Sequence, residues 1–330
     1  MTQNAKTMRA AVTGPKGLEV REVPRPQPKP NEVLVRVRVA DLNRADLSGA
    51  AHQPGASAEL FVPGLDWAGD VAEVGAEVKG VKVGDKVMCS GSGGYAEYAV
   101  SDWGRTLPFP SKSLSYEQAA TLPVALMTMH DALMTNGRLK RGETVLIQGA
   151  SSGVGLMGLQ IAKHMGARLV MGSSTNPARR ARLKEFGADL AIDTSQPQWT
   201  DEVLKATGGK GVDLVVDQVS GKLTSQTMLA TAILGRIVNV GRLGGVKAEF
   251  DFNLHALRRI DYVGVTFRTR SLDEVREIAR RMRADLWPLL EAGKLAVPID
   301  RSFPLEEAEQ AQAHMRANAH FGKILLKIGD

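Results

Sequence analysis

The chain has a single cysteine, Cys89, among 330 residues, so neither an intramolecular disulfide nor a multi-cysteine zinc site can form. Aromatic residues make up only 5%, which argues against a base-stacking platform for nucleic acid. No apolar run reaches the roughly 18 residues that a membrane-spanning helix needs, and no secretory signal stands out. Residues 1–7 are polar and read as a loose leader, and a cytoplasmic setting follows by default. The formal charge of +6 is mild. Its two visible clusters, Arg179, Arg180, Arg182 and Lys184, then Arg276, Arg280, Arg281 and Arg283, fit solvated helix faces better than a nucleic-acid footprint.

What is present is an ordinary globular balance, 43% hydrophobic and 24% charged, in a chain long enough for two domains or for one inserted into another. The first 120 residues read as strands and turns. Residues 18–23 and 32–39 alternate apolar and polar side chains, separated by the proline run at 24–30, which cannot supply a central strand's amide hydrogens. Residues 70–73, 86–89 and 95–100 continue the strand pattern between glycines, and the whole suggests a compact β-barrel-like domain. Helical signals follow at 117–122 and 125–136. From residue 143 strands and helices then alternate, with strand candidates at 145–148, 168–171, 190–193, 212–217 and 236–240. That rhythm predicts an α/β, doubly wound parallel sheet. A helix over 272–293 and a strand over 324–328 close the chain.

The most informative stretch is the glycine turn of residues 149–155, between the strand at 145–148 and a helix beginning at Gly153. Gly149 and Gly153 let the backbone turn tightly beside a pyrophosphate. The first amides of the helix, at Ser152, Gly153 and Val154, then point at it, helped by the helix dipole. Gly155 allows close packing of helix on strand. About twenty residues on, a site for NADH carries a carboxylate for the adenosine ribose. Here Ser173, Ser174 and Thr175 are followed by Arg179 and Arg180, with no acidic residue before Glu185. Hydroxyls and guanidinium groups suit a 2′-phosphate, so the expected cofactor is NADPH. The turn spacing also fits short-chain dehydrogenases, which need a tyrosine with a lysine four positions later. Tyr95, Tyr98, Tyr116 and Tyr262 are followed at that distance by Ala99, Asp102, Ala120 and Thr266, and that reading fails.

A β-rich domain ahead of a mid-chain glycine loop makes the sequence resemble the medium-chain dehydrogenase/reductase superfamily, in its zinc-free quinone oxidoreductase branch with the ζ-crystallin-like proteins. The segments that carry the likeness are residues 31–37, 41–47, 62–71, 83–87, 94–98, 122–128, the glycine loop and 321–326. The resemblance implies a GroES-like β-barrel domain from residues 1–123 and 298–330, with a Rossmann domain of residues 124–297 inserted and the active site in the cleft. It also places Asn43 and Thr128 near the nicotinamide, Val240, Gly241 and Arg242 on a nicotinamide-side loop, and Lys323 near the cofactor. Read without it, Asn43 is a turn former, Thr128 a helix residue and Lys323 a solvated charge. Many relatives carry a tyrosine in the region of residues 48–54, near the substrate carbonyl. This chain has none there, and His52 could replace it as a hydrogen-bond donor. Thr194 likewise stands where many relatives have a tyrosine near the 2′-phosphate.

Positions matching the zinc ligands of metal-dependent relatives hold Asp41, Leu65 and Asp66. Leucine cannot bind a metal, and Cys89 reads as a buried small residue. Without a Lewis acid the chemistry that remains open is hydride transfer to a quinone or an α,β-unsaturated carbonyl compound. Hydrogen-bond donors such as Asn43, Thr128 and His52 would stabilise charge on the carbonyl oxygen. The alternative is an NADPH-binding regulatory or structural protein without efficient turnover. Relatives often pair through the last Rossmann strand, and the apolar run at 262–267 suggests such an edge and a homodimer.

Overall fold

Seven of the ten positions of the long strand Glu32–Asp41 are buried, including Val33, Val35 and Val37, which marks it as a hub. The computed structural model describes residues 7–15, 17–47 and 61–329, and His52 lies outside them. The chain forms two compact units, one of residues 1–124 with 271–330 and one of residues 125–270.

The first unit begins with β1 (Thr7–Gly14) and β2 (Gly17–Pro24), an antiparallel pair. The hub strand is β3, and it is followed by β4 (Asp66–Val74), β5 (Lys86–Ser90), β6 (Tyr98–Asp102) and β7 (Thr106–Pro108). The second unit carries β8 (Thr144–Gln148), β9 (Leu169–Ser173), β10 (Leu190–Ile192), β11 (Val212–Asp217), β12 (Thr231–Asn239) and β13 (Asp261–Gly264). The chain then returns to the first unit through β14 (Ile299–Pro304) and β15 (Lys323–Lys327).

In the first unit the order β14-β15-β3-β4-β5-β7, with β6 also on β3, makes a seven-stranded sheet. Two register shifts between β3 and β4 let β3 bend while it pairs with three neighbours. Its apolar side chains pack with Trp67, Val71, Val87, Ile324 and Leu326. At its end Asp41 lies directly opposite Asp66 on β4 and Leu325 on β15, so the tail of the chain is brought to the strand end where Asn43 follows.

The second unit's sheet has the order β10-β9-β8-β11-β12-β13, and every strand pair is parallel. All five residues of β8 are buried, as a central parallel strand covered on both faces requires. The order reverses between β8 and β11, and the crevice beyond the carboxyl ends of strands at such a point is where dinucleotides bind in doubly wound sheets. The glycine turn leaves β8 there.

The resemblance assigns residues up to 297 to the dinucleotide domain, whereas the helix Leu272–Glu291 belongs to the first unit. Arg276 explains why. Its guanidinium grips Asp102 through Nε at 2.9 Å and Nη2 at 2.7 Å and lies over the ring of Trp103, while its stem packs against Gly104. Periodicity marks the helix but says nothing of that partner. Among the described residues, no helix is long and apolar enough to cross a membrane.

The helix Phe252–Arg258 ends on exposed Arg259, which holds a left-handed conformation at φ 49° and ψ 46°. A side chain in that region costs about 1–2 kcal/mol, and glycine is the usual residue at a helix end of this kind. Arg259→Gly should therefore raise the stability of the protein by about 0.5–1 kcal/mol, read as a higher urea midpoint.

Candidate functional site

The helix Gly153–His164 starts where β8 has ended, with Ser152 as its N-cap. Ser152 Oγ accepts from Gly155 N at 3.0 Å, which leaves the amides of Gly153 and Val154 without an acceptor inside the helix, as helix geometry dictates. Gly149, at φ 68°, makes the turn that brings them forward. The turn is anchored on β9: Gly149 N donates to Ser173 Oγ at 3.2 Å and Ala150 N to Ser173 O at 2.9 Å. Ser173 is therefore committed to shaping the loop. Ser174 Oγ reaches Ser151 Oγ at 3.1 Å, so the hydroxyl-bearing turn after β9 sits against the glycine turn.

Thr175 is exposed, and Asn176 caps the short helix Pro177–Arg182 that carries Arg179 and Arg180. Arg180 donates to Ser174 O at 2.9 Å and pairs with Asp193, just past β10, at 2.9 Å. Hydrogen bonds from Ser195 hold Asp193 below the usual carboxylate range, so it stays ionised beside Arg180. Asp193 is twenty residues from the serines in sequence and is brought in only by the pairing of β9 with β10.

A second residue that sequence reasoning missed is Gln218, at the carboxyl end of β11. Its Nε2 donates to Gln148 O at 3.1 Å and Gly149 O at 3.3 Å, and Ser152 Oγ lies 3.2 Å from its Oε1. It thereby ties the glycine turn to the neighbouring strand across the point where the sheet order reverses. A polar residue one step past a buried strand, next to that point, is the signal that could have found it. Val240 and Gly241 donate to Asp217 O at 2.8 and 3.1 Å, and a Cβ on Gly241 would meet Gln218 O at 2.6 Å. The turn of Val240, Gly241 and Arg242 thus rests on the same strand end. Arg242 lines a pocket with Ser220, Thr224, Asn239 and Tyr262. Thr128 is half-buried on the helix Pro123–His130.

The first unit gathers a separate polar cluster at the ends of β3, β4 and β15. Asp41, Asn43, Asp46, Asp66, Tyr95 and Lys323 are all buried there. Lys323 Nζ pairs with Asp41, donates to Asn43 Oδ1 at 3.1 Å and lies 3.8 Å from Asp66. Asn43 Nδ2 donates to Asp66 Oδ2 at 3.0 Å, and the other oxygen of Asp66 accepts from Val124 N at 2.9 Å. Asp46 Oδ2 accepts from Asn43 N at 2.7 Å and from Tyr95 Oη at 3.0 Å. Asn43 and Lys323, 280 residues apart, are thus in contact, but Lys323 is a buried partner of the cluster rather than a solvated charge.

Burial raises all three carboxyls: Asp41 well above its ordinary value, Asp46 to about 7, and Asp66 upward against the opposing charge of Lys323. Burial works against the Lys323 ammonium, yet the charges of Asp41 and Asp66 keep its pKa above the usual lysine value. Burial also pushes the Cys89 thiol up to about 12, so it carries no thiolate at neutral pH. A divalent metal does not fit this cluster. The ammonium of Lys323 stands among the carboxylate and amide oxygens a cation would need, and Leu65 offers no donor.

Residues 29–111 match the alcohol dehydrogenase GroES-like domain family, and residues 153–284 match the zinc-binding dehydrogenase family. The chain is 33% identical to a quinone oxidoreductase of Pseudomonas aeruginosa, over 96% of its own length and 97% of that protein. It is 32% identical to a phenolphthiocerol/phthiocerol polyketide synthase polypeptide of Mycobacterium tuberculosis over 94% of its length, but spans only 14% of that much longer relative. The solved quinone oxidoreductase of Pseudomonas syringae pv. tomato DC3000 is 28% identical, with a TM-score of 0.84 covering 98% of this chain and 99% of that one. With a GroES-like domain, a glycine turn at the reversal of a Rossmann-type sheet, and the Pseudomonas aeruginosa relative matched over nearly its whole length, the chain belongs to the medium-chain dehydrogenase/reductase superfamily.

Proposed function

We propose that the protein is an NADPH-dependent reductase that works without a metal and delivers hydride to a quinone or an α,β-unsaturated carbonyl compound. The observation that carries this reading is the turn after β9, where Ser174 touches the glycine loop and Arg180 bonds Ser174 O and pairs with Asp193. Thr175 and Arg179 lie on the same short segment, which has no acidic residue before Glu185. A 2′-phosphate meets a net positive surface there, and the planar guanidinium fork matches its oxygens. The amides of Gly153 and Val154, with Ser152, take the pyrophosphate, and the turn of Val240, Gly241 and Arg242 takes the nicotinamide end. The bound dihydronicotinamide supplies the hydride. Negative charge then collects on the carbonyl oxygen, for which Asn43 and Thr128 are the candidate hydrogen-bond donors of this reading, and water or His52 would supply the proton. The substrate class is supported by the quinone oxidoreductases that match this chain over nearly their whole length.

Purified protein should consume NADPH with a panel of quinones and enones. In Arg179→Ala/Arg180→Ala the KM for NADPH should rise about 10–100-fold, while the KM for NADH stays nearly constant. Equal losses with both cofactors would remove the phosphate assignment. NADPH binding with no turnover across the panel would favour a regulatory or structural role, the reading that the lack of a tyrosine in residues 48–54 supports.

A homodimer formed through β13 is part of the same proposal. Among the described residues this strand is the edge of the six-stranded sheet, and an unpaired edge invites a second copy. Sedimentation at micromolar concentration should show a dimer, and a monomer alone would reject it.

A further inference from the structure

We propose that Lys323 and Asp66 are positioning residues that lock the side-chain amide of Asn43 with its oxygen turned inward, so that its second N–H is what Asn43 offers to an acceptor oxygen of the bound reactants. The proposal rests on the reading that Asn43 faces the reacting groups.

The two ends of an asparagine amide have the same shape, and only their partners decide which end faces where. Here the partners are unambiguous. An ammonium can only donate, and Lys323 Nζ meets Asn43 Oδ1 at 3.1 Å. Asp66 serves as acceptor, with Oδ2 taking Asn43 Nδ2 at 3.0 Å and Oδ1 taking Val124 N at 2.9 Å. Turning the amide over would set NH2 against the ammonium and carbonyl against the carboxylate, inside a cluster nearly without solvent, where such mismatches are costly. The backbone of the residue is held as well, through Asn43 N on Asp46, and Leu42 N donates to Ile324 O at 2.9 Å beside Lys323. Each end of the amide therefore has one contact fixed, and Asp41 supplies the counterion for Lys323. Lys323 is 3% exposed, with its charge spent inside the cluster, so its influence on the reaction passes through Asn43 rather than through the cofactor.

Removing Lys323 alone would strand Asp41 as well as Asp66 at a large cost in folding, whereas replacing the contacting pair Asp41 and Lys323 by apolar residues of similar size leaves Asp66, which still accepts from Asn43 Nδ2 and Val124 N. The test compares wild type, D41L/K323M, N43A and the triple variant for NADPH affinity by fluorescence titration and for kcat and KM. D41L/K323M should lose about 10–100-fold in kcat with NADPH affinity nearly unchanged, and adding N43A should then cost far less than N43A costs wild type, because only the Asp66 contact still holds the amide. A tenfold loss of NADPH affinity with kcat retained would make Lys323 a cofactor ligand and overturn the proposal, as would independent, multiplying losses. The lock is also read without turnover, from the side-chain 15N amide resonances of Asn43, identified by their loss in N43A. Slow hydrogen exchange at that amide in wild type, lost in D41L/K323M, supports the lock even if no substrate is reduced, in which case only the reductase reading falls. Fast exchange in wild type overturns the lock whatever the activity.

Discussion

Replacing Gly155 with valine should destabilise the protein by about 3 kcal/mol or more and abolish measurable binding of NADPH and NADH alike. A Cβ at this position would stand 2.7 Å from both Ala150 Cα and Gly149 O and 2.9 Å from Ala150 C. These are backbone atoms of a turn that cannot retreat. It is held by Ser173 from β9 and by Gln218 from β11, and Ser152 in its turn accepts from the amide of Gly155 itself. The helix would have to lift off the strand, and the amides of Gly153 and Val154 would move with it. Gly158, three residues on, is the natural control. There the nearest atom to an added Cβ is Met129 Sδ at 2.9 Å, on a flexible side chain that can shift. Gly158→Ala should cost about 1 kcal/mol or less and keep cofactor affinity. A Gly155→Val protein binding NADPH within threefold of wild type would show that the turn does not hold the cofactor.

The parts of this architecture legible in the sequence are those whose signal is local. The buried run of β8, the glycine turn and the helix after it are contiguous, and β11 at Val212–Asp217 has the bounds that its apolar pattern predicts. β1 is hidden because its first residue follows a polar stretch of sequence, and its pairing with β2 is what makes it a strand. β14 is hidden too: only Phe303 along it is buried, and it is held by the parallel partner β15. The polar cluster fails to show for a deeper reason. Asp41, Asp66 and Lys323 each look like ordinary surface charges, and only the register of β3 against β4 and β15 reveals that they share one buried space. The same holds for Asp193, which meets Arg180 only once β9 and β10 are paired.

Stability should fall as pH rises from about 4 to about 7, and Asp46→Asn should remove part of that fall. Burial raises the Asp46 carboxyl to about 7 in the folded protein, whereas in the unfolded chain it titrates near the ordinary value of about 4. Between those values the folded state holds a proton that the unfolded state has lost. Stability is therefore complete below the lower value and drains away as pH climbs through the upper one. At 1.36 kcal/mol for each unit of pKa difference, Asp46 alone accounts for about 4 kcal/mol as an upper bound. Asp41 and Asp66 are raised by the same burial and push in the same direction, while Lys323 opposes them with one charge against three carboxyls. Arg276 and Asn31 hold Asp102 below its ordinary value, so its contribution changes only under more acidic conditions. Asparagine suits the site of Asp46 because both of its donors, Asn43 N and Tyr95 Oη, bond to the same oxygen, Oδ2, which an amide oxygen can replace. Asp46→Asn should match wild type near pH 4.5 and exceed it by about 2–3 kcal/mol at pH 8, in urea titrations across that range. Parallel stability curves for the two proteins would mean that Asp46 ionises without hindrance, and the cluster would then not be the closed, water-poor space that its burial describes.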